Sequence, residues 1–354
     1  MSPVLTIDQN ALLHNLSAVK SFARRHRVAI SFVTKGLVGH EGLVKLLLEN
    51  GVDSICDAHI QNLIKFKDMD AEKWLIRSPL ISEADDVVCY ADVSLVSEIS
   101  VLERLSEAAV RHGRSHKVVI MLELGELREG CMPNELIPLC EASRDLPGLE
   151  LHGIGTNLSC INEVVPDGQN MEEIVTAAIM VERALGVNLP VLSGGSSSSL
   201  KMLIEGSLPV RVNHLRIGEA ILLGNIVCYD VPFAGARTDA FTLHAEVIEV
   251  KEKPSLPWGE RAPGVTPIAQ DPATEDLGIR KRALIAVGKQ DVFSKYLIPL
   301  DPNIKILGDT SDCMIVDVTG SENEYKPGDS VGFRLRYNGL VSAMASAYIE
   351  KKLI

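Results

Sequence analysis

The chain has 354 residues, 46% hydrophobic and 23% charged, with a formal net charge of −12. Its length exceeds one average domain and suits a barrel of ~250 residues with a smaller partner domain, and its composition excludes a disordered chain. The acidic balance, without a long basic run, argues against nucleic-acid binding and at most weakly favours a cationic small substrate. Seven cysteines, at 56, 89, 131, 140, 160, 228 and 313, include no CxxC pair. That pattern fits a reducing, cytoplasmic compartment and argues against a disulfide framework or a zinc site. No basic segment leads into an apolar core at the N-terminus, and no apolar run reaches ~18 residues, so no signal peptide or membrane span is expected.

In chain order, β-branched runs alternate with amphipathic stretches from about residue 10 to 225. Strands are predicted at 28–34, 52–57, 74–78, 92–96, 117–124, 150–157, 190–194 and 213–218. Helical patterns such as His40–Asn50, Glu98–Arg111 and Met171–Leu185 lie between them. Repeated βα units imply a parallel sheet, and eight of them favour a closed (β/α)8 TIM-type barrel over an open doubly wound sheet. After Asp230 the rhythm changes. Phe241–Val250, Arg282–Val287, Cys313–Val318, Ser330–Leu335 and Ser342–Ile349 read as strands, and 254–278 reads as a long Pro/Gly-rich loop. The expected organisation is an α/β barrel domain over 1–230 and a mainly-β domain over 231–354.

Active sites of such barrels lie at the C-terminal ends of the strands. Lys35 ends the first predicted strand, with Gly36 allowing an immediate turn. A neutral lysine amine there can form an imine, whereas a solvated lysine would do nothing. Arg128 sits in Glu123-Leu124-Gly125-Glu126-Leu127-Arg128-Glu129-Gly130 after the fifth strand. It can hold a substrate carboxylate, or merely pair with Glu126 or Glu129. Asn157 ends the sixth strand and either bonds a cofactor ring oxygen or caps a loop. Ser193-Gly194-Gly195-Ser196-Ser197-Ser198-Ser199 opens a helix after the seventh strand. Its hydroxyls and amides, with those of Gly218 and Glu219 after the eighth, suit a phosphate group. Arg216 lies within an apolar strand and needs an acceptor, either a cofactor ring nitrogen or a barrel carboxylate.

These segments resemble the fold-type III pyridoxal phosphate racemases, in particular the alanine/ornithine racemase family. The resemblance runs over nearly the whole chain and includes Val33-Thr34-Lys35, Gly125–Gly130, Gly155–Cys160, Ser193–Ser197 and Leu215–Glu219. Glu252–Pro257, Gly278–Arg282 and Asp312–Asp317 resemble the ornithine-type branch. The resemblance implies pyridoxal 5'-phosphate as cofactor and Lys35 as both the imine lysine and one of two racemisation bases. It implies that Ser196 and Ser197, with the Gly218 and Glu219 amides, hold the phosphate. Arg216 would face the pyridine nitrogen, and Arg128 would orient the substrate carboxylate. It also implies a homodimer in which the second domain reaches the partner's barrel.

Three departures from the alanine racemase pattern stand out. Leu37-Val38-Gly39-His40 lacks the phosphate-contacting tyrosine, and Asn157 replaces a histidine. Pro257-Trp258-Gly259 stands where a Tyr-Gly pair would supply the opposite base. An indole cannot act as a base, which leaves Asp291, Asp312 and Cys313 as candidates. The activity expected is racemisation of a basic or small amino acid, ornithine first, with Glu275, Asp276 and Asp312 available to a side-chain ammonium. The alternatives are a pyridoxal phosphate-binding homeostasis protein without turnover and a decarboxylase of a basic amino acid.

Overall fold

The computed structural model describes residues 3–260 and 275–354. The chain divides into two compact units, Leu12–Arg237 and a second that joins the segment ending at Ala11 to Thr238–Ile354. Strand β1 (Val4–Ile7) therefore belongs with the second unit, not with the barrel where a division at residue 230 would put it.

The first unit holds the eight expected strands as a closed parallel barrel. They are β2 (Ala29–Val33), β3 (Ser54–Asp57), β4 (Glu72–Leu75), β5 (Val93–Val96), β6 (His116–Met121), β7 (Leu149–Gly155), β8 (Val191–Ser193) and β9 (His214–Ile217). The seam closes between β2 and β9, with Ala29 opposite His214 and Ser31 opposite Arg216. Both faces of these strands are covered, which is why they read as continuous apolar runs; all four residues of β5 are buried. Val33, Cys56, Trp74, Val93, Leu95, Val119 and Met121 form one buried cluster. The surrounding helices bury a single stripe. In Ile99–His112 the stripe is Val101, Leu102, Leu105, Ala108 and Ala109, and Gly113 ends the helix at φ 60°. A short ribbon of β10 (Asn225–Ile226) and β11 (Val231–Pro232) follows.

The second unit contains β12 (Phe241–Pro254), β13 (Ile279–Ile285), β14 (Leu297–Pro299), β15 (Lys305–Asp309), β16 (Met314–Asp317), β17 (Ser330–Leu335) and β18 (Glu350–Leu353). They run in the order β14-β17-β12-β13-β16-β15, and β1 pairs with both β12 and β18. The first half of the expected strand at Ser342–Ile349 is instead the end of the helix Tyr337–Ala345, and the second half is neither helix nor strand. Gly339, Leu340, Ala343 and Met344 are its buried residues, a spacing that belongs to a helix and not to a strand. β18 escaped notice because Lys351 and Lys352 interrupt its apolar character. Of the expected loop at 254–278, residues 261–274 lie outside the described residues.

Candidate active site

β2 ends at Val33 and the chain winds directly into a 3-10 turn, Thr34–Leu37. Val38 closes the turn at φ 51°, and its N–H donates to the Lys35 carbonyl at 3.2 Å. A β-branched residue in the left-handed region is strained, so the surroundings must hold this turn in place. Thr34 Oγ1 does part of that by sharing its one proton between Asp57 Oδ2 at 2.6 Å and the Cys56 carbonyl at 3.0 Å. Asp57 is buried at the end of β3 and also accepts from the His59 N–H at 2.9 Å and Asn62 Nδ2 at 3.1 Å. Lys35 is thereby fixed at the barrel mouth. Burial, and then the Arg128 cation, lower the pKa of its ammonium; Cys160, Asp57 and Glu129 act in the opposite direction.

Arg128 lies in the loop after β6. Its Nε pairs with Glu129 Oε2 at 2.9 Å, so the ion pair considered from sequence is present, with Glu129 and not with Glu126. Burial raises the Glu129 carboxyl above its ordinary pKa, against the pull of Arg128 and Arg216. Glu126 faces inward and is only 1% exposed. Its carboxylate accepts N–H bonds from Ser159, Cys160, Asn162 and Val164, all in the loop after β7. Asn157, half-buried, stands at the start of that loop.

The loops after β8 and β9 meet at Ser197. Its Oγ accepts from the backbone N–H groups of Gly218 and Ala220, both at 3.2 Å. Ser196 Oγ accepts from the Ser198 N–H at 3.5 Å, and Ser199 Oγ donates to the Gly194 carbonyl at 2.6 Å. A Cβ on Gly218 would stand 2.9 Å from Val33 Cβ, so only glycine lets the two strand ends approach this closely. Glu219 is pushed up to about 7 by burial and by the Asp230 carboxylate, with Lys35 opposing.

Arg216 is 3% exposed inside the barrel. It donates to Ser193 Oγ and, through Nη2, to the Thr156 carbonyl at 2.8 Å. Among the described residues no carboxylate bonds it, so the buried ion pair considered from sequence does not form. Ser193 continues the chain to His214 Nδ1 at 2.8 Å, His214 Nε2 to Ser31 Oγ at 2.7 Å, and Ser31 to Ser54 Oγ at 2.6 Å. Arginine can only donate, so Ser193 accepts from Arg216, and the neutral imidazole donates from one ring nitrogen and accepts at the other. Burial, then Arg216, depress the His214 pKa to about 3, so the ring is neutral at pH 7. Trp74 stacks on it at 4.5 Å. Sequence reading overlooked His214, yet strand alternation gave a signal: residues two apart on a strand share a face, and Arg216 was already placed inside.

The residues considered for the opposite base all lie in the second unit. Asp291 is buried and accepts from Ser346 Oγ at 2.7 Å. Asp312 is exposed, and the Thr310 and Ser311 hydroxyls hold its carboxyl below the usual range. Burial and the neighbouring Asp312 push the Cys313 thiol up. Trp258 is 82% exposed. A cavity of about 590 Å³ opens elsewhere, lined by Leu122, Leu124, Ile137, Thr176 and Met180 among others. It contains none of the candidate residues, so chemistry and not volume marks the site.

Residues 7–225 match the alanine racemase N-terminal domain family, and the chain belongs to that family. It is 40% identical over 357 residues to the ornithine racemase of Acetoanaerobium sticklandii, covering 100% of both chains. It is 33% identical over 351 residues to the lysine racemase of Thermotoga maritima, covering 99% of this chain and 98% of that one. The fold is shared with the alanine racemase of Bartonella henselae, solved with covalently bound pyridoxal phosphate, at a TM-score of 0.75 and 16% identity over 100% of both chains. The site fits that group on its own geometry. A lysine of depressed pKa, a hydroxyl with converging amides and a buried arginine donor stand at the ends of adjoining barrel strands β2, β8 and β9.

Proposed function

We propose that this chain is a cytoplasmic, homodimeric, pyridoxal phosphate-dependent racemase that interconverts the L- and D-forms of a basic amino acid, ornithine first. The observation that carries the reading is Lys35, held at the barrel mouth with its ammonium destabilised by burial and by Arg128. Both full-length relatives bear the names of racemases of basic amino acids, which supports the substrate class.

Bound pyridoxal phosphate withdraws electrons from the substrate and so acidifies its α-hydrogen. In this reading Lys35 anchors the cofactor through Nζ and takes or returns the α-proton on one face. Its lowered pKa increases the neutral amine available near pH 7, the form that accepts a proton. Arg128 orients the substrate carboxylate, with Glu129 steadying its guanidinium. Ser196, Ser197 and the Gly218 and Glu219 amides hold the phosphate, and Asn157 bonds the ring oxygen. Arg216 presents an N–H to the ring nitrogen and keeps its proton. It therefore leaves the ring a weaker electron sink, which restrains side reactions such as transamination. In this reading the opposite-face proton comes from the second unit of a partner subunit, through Asp291, Asp312 or Cys313. Of these, Cys313 retains a proton to donate, whereas Asp312 is a weakened base.

The test is α-proton exchange in deuterium oxide, followed by NMR, with L-ornithine, L-lysine and L-alanine in turn and chiral chromatography of the products. We expect exchange and loss of optical purity with ornithine, and a loss of at least about 10³-fold in Lys35→Ala. Exchange with retained configuration would leave Lys35 active and remove the second base. Absence of exchange with all three, despite bound cofactor, would overturn the reading. Release of carbon dioxide would replace it with decarboxylation.

A further inference from the structure

We infer that Glu126 is a positioning residue, which locks the loops carrying Arg128 and Asn157 into one rigid wall of the site. The inference rests on the roles proposed above for those two residues.

Glu126 uses its whole carboxylate. Oε1 accepts from the N–H groups of Cys160 at 2.9 Å and Asn162 at 2.8 Å, and Oε2 from those of Ser159 at 3.0 Å and Val164 at 3.2 Å. Its main-chain carbonyl accepts a fifth bond, from Asn162 Nδ2 at 2.6 Å. The loop wraps around the anion: Ser159 and Glu163 adopt φ values of 61° and 56°, which help to turn successive N–H groups inward. Leu127, at φ 54°, is 74% exposed, whereas Glu126 beside it is buried. Non-glycine residues in this region of backbone space carry a conformational cost, and the four converging N–H donors, one buried and three part-buried, find their acceptor in this carboxylate. The loop conformation therefore depends on the carboxylate. Burial alone would raise its pKa, yet the N–H donors of the 160–164 segment hold it below the usual range.

The consequence reaches the chemistry from two sides. Arg128 is two residues beyond Glu126, and Asn157 is two residues before Ser159. Arg128 and Cys160, one from each loop, both act electrostatically on Lys35. A glutamine at 126 keeps the shape but supplies one acceptor oxygen, and turns an NH2 group toward N–H donors.

The experiment compares full-length wild type, Glu126→Gln and Glu126→Ala, each loaded with pyridoxal phosphate. Glu126→Gln is expected to lower kcat/KM for the best wild-type substrate about 10- to 100-fold, chiefly through KM. Titration of the cofactor-free chain should show weakened cofactor binding. In Glu126→Ala, added acetate or formate should enter the vacated ring of N–H groups and restore part of the lost kcat/KM, while neutral acetamide should not. Amide hydrogen exchange should quicken in residues 157–164 and remain unchanged in the barrel helices. Wild-type kcat, KM and cofactor affinity in Glu126→Gln would overturn the proposal. So would exchange that quickens throughout the chain with KM unchanged and no response to acetate, which would leave Glu126 a stability role alone. If the wild type turns over no amino acid, the racemase reading fails separately. Cofactor affinity then decides: unchanged affinity in Glu126→Gln overturns the positioning role.

Discussion

Buried polar groups are handled differently in the two units. In the second unit the buried carboxylates Asp291, Asp309 and Asp317 each make their own separate bonds. Asp317 accepts from Arg280 Nε and from the Thr319 N–H, both at 2.8 Å, and Asp309 accepts from the Ser294 N–H at 2.7 Å. In the barrel, by contrast, His214, Arg216, Ser193, Ser31 and Ser54 form one chain drawn from four strands. A locally satisfied charge stabilises its own corner. A chain that spans strands transmits the position of one member to the next, and here it ends on Arg216 at the mouth.

That contrast can be broken most forcefully at His214. His214→Phe keeps a ring against Trp74 but removes one partner from each of the buried Ser193 and Ser31 hydroxyls, at an expected cost of about 2–4 kcal/mol in denaturant unfolding. The same variant should lose about tenfold or more in kcat/KM, because Arg216 is no longer oriented. Unchanged kinetics alongside the stability loss would reduce the chain to a packing device. Asp317→Asn is the matched test in the second unit. It should cost about 2 kcal/mol and leave kcat and KM alone. Its native carboxyl pKa is depressed by the Thr319 and Arg280 bonds, so the wild-type contribution is present above the unfolded carboxylate pKa and is lost as pH falls through the folded one. The smallest effect is expected from Glu219→Gln, in the cofactor-free chain. Glu219 titrates at about 7 when folded, against an unfolded value of about 4.5. Its contribution is therefore greatest below the unfolded value and is lost as pH rises through about 7. The variant should flatten that decline and be more stable by roughly 1–2 kcal/mol above pH 7, read as the difference in unfolding free energy across pH.

The degree to which the site was legible followed the range of the interactions involved. Lys35 and Arg216 could be placed from strand ends and alternation alone, because position along a barrel strand decides what faces the mouth. Ser197 could be placed because its small-residue run follows a buried strand. Glu126 read only as a possible partner for Arg128. Its real acceptors' donors are backbone N–H groups 33 to 38 residues further on, which have no side-chain identity to betray them. The helix Tyr337–Ala345 was mistaken in part for a strand because Ser342–Ile349 begins halfway through its apolar stripe.

By itself the sequence determined the eight-strand barrel, the lysine at the end of its first internal strand and the family of its motifs. These depend on hydrophobic period and on residue order, which are local properties of the chain. Only the tertiary structure decided that β1 joins the second unit, that Arg216 is held by a serine–histidine chain in place of a carboxylate, and that Glu126 ties two loops together. Each of those depends on which distant polar groups, backbone or side chain, need a hydrogen-bond partner once the chain has folded.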